Sequence, residues 1–186
     1  NFKVRDARIR AELIRRQKAG ILGGLGETPA ADNPEIPAAT TPGTGSDPLF
    51  NKQWGMNQLG VQTAWATTKG RPEIVVAVID TGVDYNHPDL NANMWTNPGE
   101  IPNNTIDDDG NGYVDDFYGY DFANKDGDPM DDVDHGTHCS GTIGGLGNNG
   151  VGVTGVAWTT RIMAVKFLSA SGSGSTSNAI KCIDYA

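Results

Sequence analysis

The sequence predicts an α/β fold, a parallel sheet flanked by helices. Two short runs, Glu73–Ile79 and Ile162–Leu168, are rich in Val, Ile and Leu and lack a clean apolar–polar alternation. Such runs suit strands covered on both faces. Segments with helical character lie between and after them, and strands alternating with helices imply parallel pairing. The chain has 186 residues with 37% hydrophobic content, enough for one buried core without a disulfide framework.

The elements follow in order. Residues 4–18 place Val4, Ala7, Ala11 and Ile14 at helical spacing on a basic segment that Gly20 closes. Residues 20–46 are rich in Gly, Pro, Thr and Ala and read as a linker. A globular composition begins at Asp47, so the expected division is 1–46 and 47–186. Val61–Thr68 reads as a short helix stopped by Lys69, Gly70 and Pro72. Glu73–Ile79 is the first buried strand. His135–Leu146 is a helix rich in small residues, and Ile162–Leu168 is the second strand. Ser175–Ala186 is a helix with Ile180 and Ile183 on one side and Ser175 or Ser177 as cap. Because that pattern still runs at Ala186, the fold is expected to be truncated there. Asn1 in place of Met implies a processed product or an excised piece.

Charge narrows the function classes. Residues 1–18 carry seven basic and two acidic side chains; the rest of the chain carries seven basic and twenty-one acidic. The acidic body repels nucleic acid and attracts cations. No apolar run approaches the roughly 20 residues that span a bilayer, so no membrane span is expected. Eleven of the acids are Asp residues between 107 and 134, interleaved with Tyr113, Phe117, Tyr118, Tyr120 and Phe122. Aromatic content of that kind argues for folding around a counter-ion rather than for a solvated tail.

Within this stretch, DDDGNGYVDD (107–116) places oxygen ligands at alternate positions Asp107, Asp109 and Asn111. Gly112 stands at the sixth place and the Tyr113 carbonyl at the seventh, as in an EF-hand loop. Tyr118 occupies the twelfth position where that loop has Glu. Asp115 or Asp116 would close the shortened loop, with Glu100 completing it from upstream. Carboxylates without His or Cys point to Ca2+ rather than zinc.

Two further residues suggest chemistry. Asp80 directly follows the first strand, where parallel sheets gather functional groups, although an Asp also commonly opens a turn. His135 sits where a loop becomes a helix, and a carboxylate beside it would fix its tautomer for general-base work, although a single histidine is more often a surface or core residue than a catalyst.

Taken together, VVAVIDTGVDYNHPDL (75–90) and DHGTHCSGTIGG (134–145) resemble, in this order, the Asp and His signatures of the subtilisin-like serine peptidases. The resemblance covers residues 47–186 and implies a subtilisin-like sheet. It makes Asp80 the residue that orients the imidazole and His135 the general base of peptide hydrolysis. His87 and His138 match structural positions. GSGS (172–175) resembles the edge strand of the substrate cleft, in which Gly172, Ser173 and Gly174 pair with an extended peptide. A second calcium site is implied by Asp47, Asp89 and the loop 146–153, with the Asn149 side chain and the carbonyls of Leu146, Val151 and Val153. The long spacing from Asp80 to His135 contains the acidic loop, as in bacterial and protozoan-parasite members.

The family's third motif, a GTSMA-like segment with the nucleophilic serine, does not occur in these residues, nor does the oxyanion Asn. The expectation is therefore a calcium-dependent endopeptidase whose Asp and His lie here, inactive as this chain alone, with the C-terminal remainder of the catalytic domain as its partner. The alternative is a non-catalytic, calcium-stabilised element of a larger assembly. Residues 1–46 would be a propeptide remnant or an extension. A peptide substrate and a propeptide or inhibitor are the implied partners, and secretion or a secretory vesicle or vacuole is the implied compartment. Cys139 and Cys182 are expected as free thiols.

Overall fold

The structure, a computed structural model, describes residues 47–186. The helix expected over 4–18 and the linker over 20–46 lie outside the described residues. Helices α1 (Trp54–Leu59) and α2 (Val61–Trp65) lead into strand β1 (Val75–Asp80). Strand β2 (Gly119–Asp121), helix α3 (His135–Gly144), strand β3 (Arg161–Lys166) and helix α4 (Thr176–Tyr185) follow.

The sheet is parallel with strand order β1-β3-β2. Register runs from Val75 opposite Arg161 to Asp80 opposite Lys166, and Asp121 of β2 also faces Lys166. The two-residue period of β1 and β3 feeds two separate cores. Val76, Val78, Ile162 and Ala164 pack with Val83, Leu90 and Met94 and with Cys139 and Ile143 of α3. Ala77, Ile79, Met163 and Val165 pack with Phe122, Tyr113, Tyr120 and with Cys182 and Tyr185 of α4. A third cluster joins Phe50, Met56, Val61, Trp65 and Trp158, with the indoles of Trp65 and Trp158 edge-on at 4.8 Å.

The parallel α/β architecture is as expected, with differences in detail. β1 starts at Val75, and Ile74 and Val75 are exposed, because β1 is an edge strand among the described residues. α2 ends at Trp65 rather than Thr68, and α1 precedes it, separated by the left-handed Gly60. β2 was hidden inside the acidic stretch. It can pair there because Gly119, at φ 120°, lets the Ala164 carbonyl come so close that a Cβ would lie 1.8 Å from it. Ser175 caps α4 by accepting from the Asn178 amide at 3.1 Å. The helix buries Cys182, while Ile180 and Ile183 are exposed: the aromatic layer around Phe122 selects the Cys182–Tyr185 side. Cys139 and Cys182 are both free.

This packing orders the effects of truncation. Ile162→Ala, at a fully buried position of the central strand, should destabilise the fold by about 2–5 kcal/mol. Ile183→Ala should change it by less than about 0.5 kcal/mol. The denaturant midpoints of the two variants check this ranking.

Candidate active site

Asp80 ends β1 and His135 begins α3, so a strand terminus and a helix terminus bring the two side chains together. His135 Nδ1 lies 2.7 Å from Asp80 Oδ1. The Asp80 carboxylate also accepts the Thr81 amide at 2.7 Å. An ionised carboxylate only accepts hydrogen bonds, so Nδ1 carries the proton and Nε2 holds the basic lone pair. Nε2 has no hydrogen-bond partner among the described residues, and the His135 side chain is 65% exposed. The contact with Asp80 raises the His135 pKa above the ordinary histidine value, first through the hydrogen bond and then through the charge.

Small residues and a second carboxylate hold this geometry. A Cβ on Gly136 would lie 2.0 Å from the Gly82 carbonyl, so α3 meets the end of β1 backbone to backbone. The Gly136 amide donates to Thr81 Oγ1 at 2.9 Å, and Thr81 Oγ1 donates to Asp131 at 2.8 Å. Asp131 in turn accepts from the Thr137 amide and hydroxyl at 2.8 and 2.6 Å and from the amides of Val133 and Asp134. Burial opposes its charge, but these donors, Thr137 first, hold the Asp131 carboxyl below the usual value. Asp131 therefore does the capping that Asp134, left-handed at φ 74° and making no side-chain cap bond, does not. Cys139 Sγ sits 3.9 Å from His135 Nδ1, and burial, then the charge of Asp80, pushes its thiol upward, away from a thiolate. Ser140 is fully buried in α3 and offers no nucleophile to the solvent side.

Gly172, Ser173 and Gly174 are exposed in the segment between β3 and α4. They form a turn, with the Ser169 amide donating to the Ser173 carbonyl at 2.9 Å and the Gly172 amide to the Ser169 carbonyl at 2.8 Å. None of the three bonds to Asp80 or His135. The chain reaches this turn past the dyad, since the Phe167 amide donates to the Asp80 carbonyl at 3.0 Å.

The acidic loop gathers Glu100, Asp109 and Asp116, with carboxylate oxygens within 4.8 Å of one another. Glu100 and Asp116 are buried. Asn111 contributes its amide to Asp109 and Asp116 at 3.2 and 3.0 Å. Asp107 lies beside this trio and accepts the Asn111 and Gly112 amides. Asp115 turns away and accepts the Asn104 and Thr105 amides, so Asp116, not Asp115, completes the trio. The ring of Tyr113 joins the aromatic layer, and its carbonyl accepts no hydrogen bond among the described residues. Two residues were not foreseen. Asn97 donates to Asp109 and Asp116 at 3.0 and 2.8 Å, and Tyr185 of α4 donates to Asp116 at 2.7 Å. The hydrogen bond from Asn97 is the main cause that lowers the Asp109 pKa. In sequence Asn97 was only the start of an Asn-Pro-Gly turn, and Tyr185 only a helix residue.

Asp47 and Asp89 are also buried, both wrapped by the loop 146–153. Asp47 accepts the Asn148 and Gly150 amides at 2.7 and 3.0 Å and the Thr154 hydroxyl. Asp89 accepts the Asn149 side chain and the Val153 amide, each at 2.8 Å. The carbonyls of Leu146, Val151 and Val153 accept no hydrogen bond among the described residues. Both loops therefore offer hard oxygen donors, and among the described residues no lysine or arginine pairs with their acids. This donor set fits an oxygen-seeking divalent cation.

The raised His135 pKa has a definite sign. Its contribution to stability is full below the unfolded histidine pKa and is lost as pH rises through the higher folded value. Asp80→Asn should bring the His135 midpoint down toward the ordinary value, as followed by the ring-proton shifts in an NMR pH titration.

Comparison with known proteins places this sequence beside serine proteases. A family model described as the Subtilase family matches residues 71–186. Subtilisin-like protease 1 of Plasmodium berghei is 42% identical over 143 residues, which cover 75% of this chain and 24% of that protein. A thermophilic serine proteinase of Bacillus sp. (strain AK1) is 39% identical over 150 residues, 74% of this chain and 32% of that protein. The halolysin-like extracellular serine protease Nep of Natrialba magadii is 32% identical over 143 residues, 75% and 23% of the two chains. The chain thus spans about a quarter to a third of the length of these relatives. With a match over most of the described residues and a carboxylate and imidazole joined at the carboxyl end of a parallel sheet, the chain belongs to the subtilase family.

Proposed function

We propose that these residues supply the Asp and His of a serine endopeptidase, with the nucleophilic serine contributed by sequence outside them. The observation that carries this reading is the 2.7 Å contact between His135 Nδ1 and Asp80, on a histidine whose side chain is largely exposed and whose Nε2 has no hydrogen-bond partner among the described residues. In such a site Nε2 of His135 takes the proton from the serine hydroxyl as it attacks the peptide carbonyl. Asp80 holds the tautomer and stabilises the imidazolium, which then gives the proton to the leaving amine. The base must be neutral, so turnover should rise with pH through the raised His135 pKa. Gly172, Ser173 and Gly174 are the proposed backbone edge for an extended peptide substrate.

Calcium is proposed at both loops. Glu100, Asp109, Asp116 and the Tyr113 carbonyl would hold one ion, with Asp107 and Asn111 beside them. Asp47, Asp89, Asn149 and the carbonyls of Leu146, Val151 and Val153 would hold the other. The ions would neutralise buried carboxylates and brace the loops. Sites of this kind suit a calcium-rich compartment: secretion, or a secretory vesicle or vacuole. The name of the extracellular relative from Natrialba magadii supports secretion.

In the full-length protein, His135→Ala should lower peptide turnover by at least about 10⁴-fold while leaving the melting temperature near that of the parent. Undiminished turnover would remove His135 from the mechanism. EDTA should lower the melting temperature and added calcium restore it; calcium at 100 times its Kd stabilises by about 2.7 kcal/mol. A melting temperature indifferent to both would exclude calcium.

A further inference from the structure

Lys166 is the last residue of β3 and is 1% exposed. A lysine is almost never buried this deeply without partners. Its ammonium has three N–H donors, and three acceptors meet it: the Thr81 carbonyl at 2.9 Å, the Met130 carbonyl at 3.0 Å and the Asp132 carboxylate. These acceptors stand on two different walls. Thr81 directly follows Asp80, the last residue of β1. Met130 and Asp132 flank Asp131, the carboxylate that caps α3 and bonds Thr81 Oγ1. The 129–132 loop has a second tie to the end of β1, since the Val83 amide donates to the Pro129 carbonyl at 3.0 Å.

We propose that Lys166 is a positioning residue for the Asp80–His135 pair, its buried ammonium fastening the end of β1 to the loop that seats the histidine helix. Without it, the segment carrying Asp80 and the cap of α3 are free to shift relative to each other. The contact between Asp80 and His135 then lengthens. Lys166 touches neither reacting atom and acts through Thr81 and the 130–132 backbone. The inference rests on the peptidase reading only for its kinetic consequence; the geometric consequence is independent of it.

The sign of one measurement separates this role from a simple charge effect. The groups facing His135 are Asp80 from β1, Asp131 from the preceding loop and Cys139 from its own helix. Removing a nearby positive charge by itself raises an imidazole pKa. Loosening the Asp80 contact lowers it.

The test uses the full-length protein with Lys166→Met, its fold checked by circular dichroism. The His135 ring titration should move down by about half a pH unit or more, against the charge effect. With a peptide substrate, kcat should fall about 10–100-fold with KM nearly unchanged, as expected for a misaligned base. Lys166→Arg, which restores the charge and several donors, should recover part of both. A titration midpoint that rises or stays in place, with kcat unaltered, would overturn the proposal. If Lys166→Met does not fold, Lys166→Gln, which keeps two N–H donors, is read by the same sign. Should the parent protein fail to hydrolyse peptides, the peptidase reading falls, and the titration arm alone decides the positioning role.

Discussion

The backbone of α3 touches the backbone at the end of β1, and the site depends on that contact. It exists only because residue 136 has no side chain: a Cβ there would lie 2.0 Å from the Gly82 carbonyl and 3.2 Å from Asp80 Cβ. Moving the helix out to make room would open the 2.7 Å contact between His135 and Asp80. The same closeness lets the Gly136 amide reach Thr81 Oγ1, which links the helix start to Asp131. Close packing and hydrogen bonding thus act on the same few atoms, and a shift in one is felt by the other.

The acidic body is organised by donors rather than by ion pairs. Asp47, Asp89 and Asp116 are buried, and each accepts amide or hydroxyl hydrogens. Asp131 does the same beside the dyad. Buried carboxylates need such donors because an unpaired charge in a low-dielectric interior is strongly disfavoured. The exception is the carboxyl end of the sheet, where the one buried lysine among the described residues meets two carbonyls and Asp132. Its neighbour across β2, Asp121, is fully buried. Burial is the main influence on Asp121 and raises its carboxyl; hydrogen bonds from the Asn124 and Ala123 amides and the Asn124 side chain oppose it first, and the positive charge of Lys166 adds last.

Much of the fold was legible because parallel strands leave a strong local mark. Val76–Ile79 and Ile162–Val165 carry apolar residues on both alternating faces, and two separate cores use them. The helices after them were legible from their caps and glycines. β2 was not, because Gly119, Tyr120 and Asp121 have no apolar period; they pair only because Gly119 admits the Ala164 carbonyl. The packed side of α4 was not legible either. A helix with Ile180, Ile183 and Cys182 offers two plausible faces, and the aromatic residues waiting at Phe122 and Tyr113 make the choice.

The same division holds at the site. Residue type and order alone determined that Asp80 ends a strand, that His135 opens a helix and that residues 107–116 concentrate oxygen ligands, because these are properties of short contiguous segments. Tertiary structure decided which carboxylates share space. It turned Asp115 outward and Asp116 inward, and it drew in Asn97 and Tyr185 from distant segments. It also placed the Lys166 ammonium between Thr81 and Met130. Contacts among residues far apart in the chain depend on how two backbones approach, and no local pattern encodes that distance.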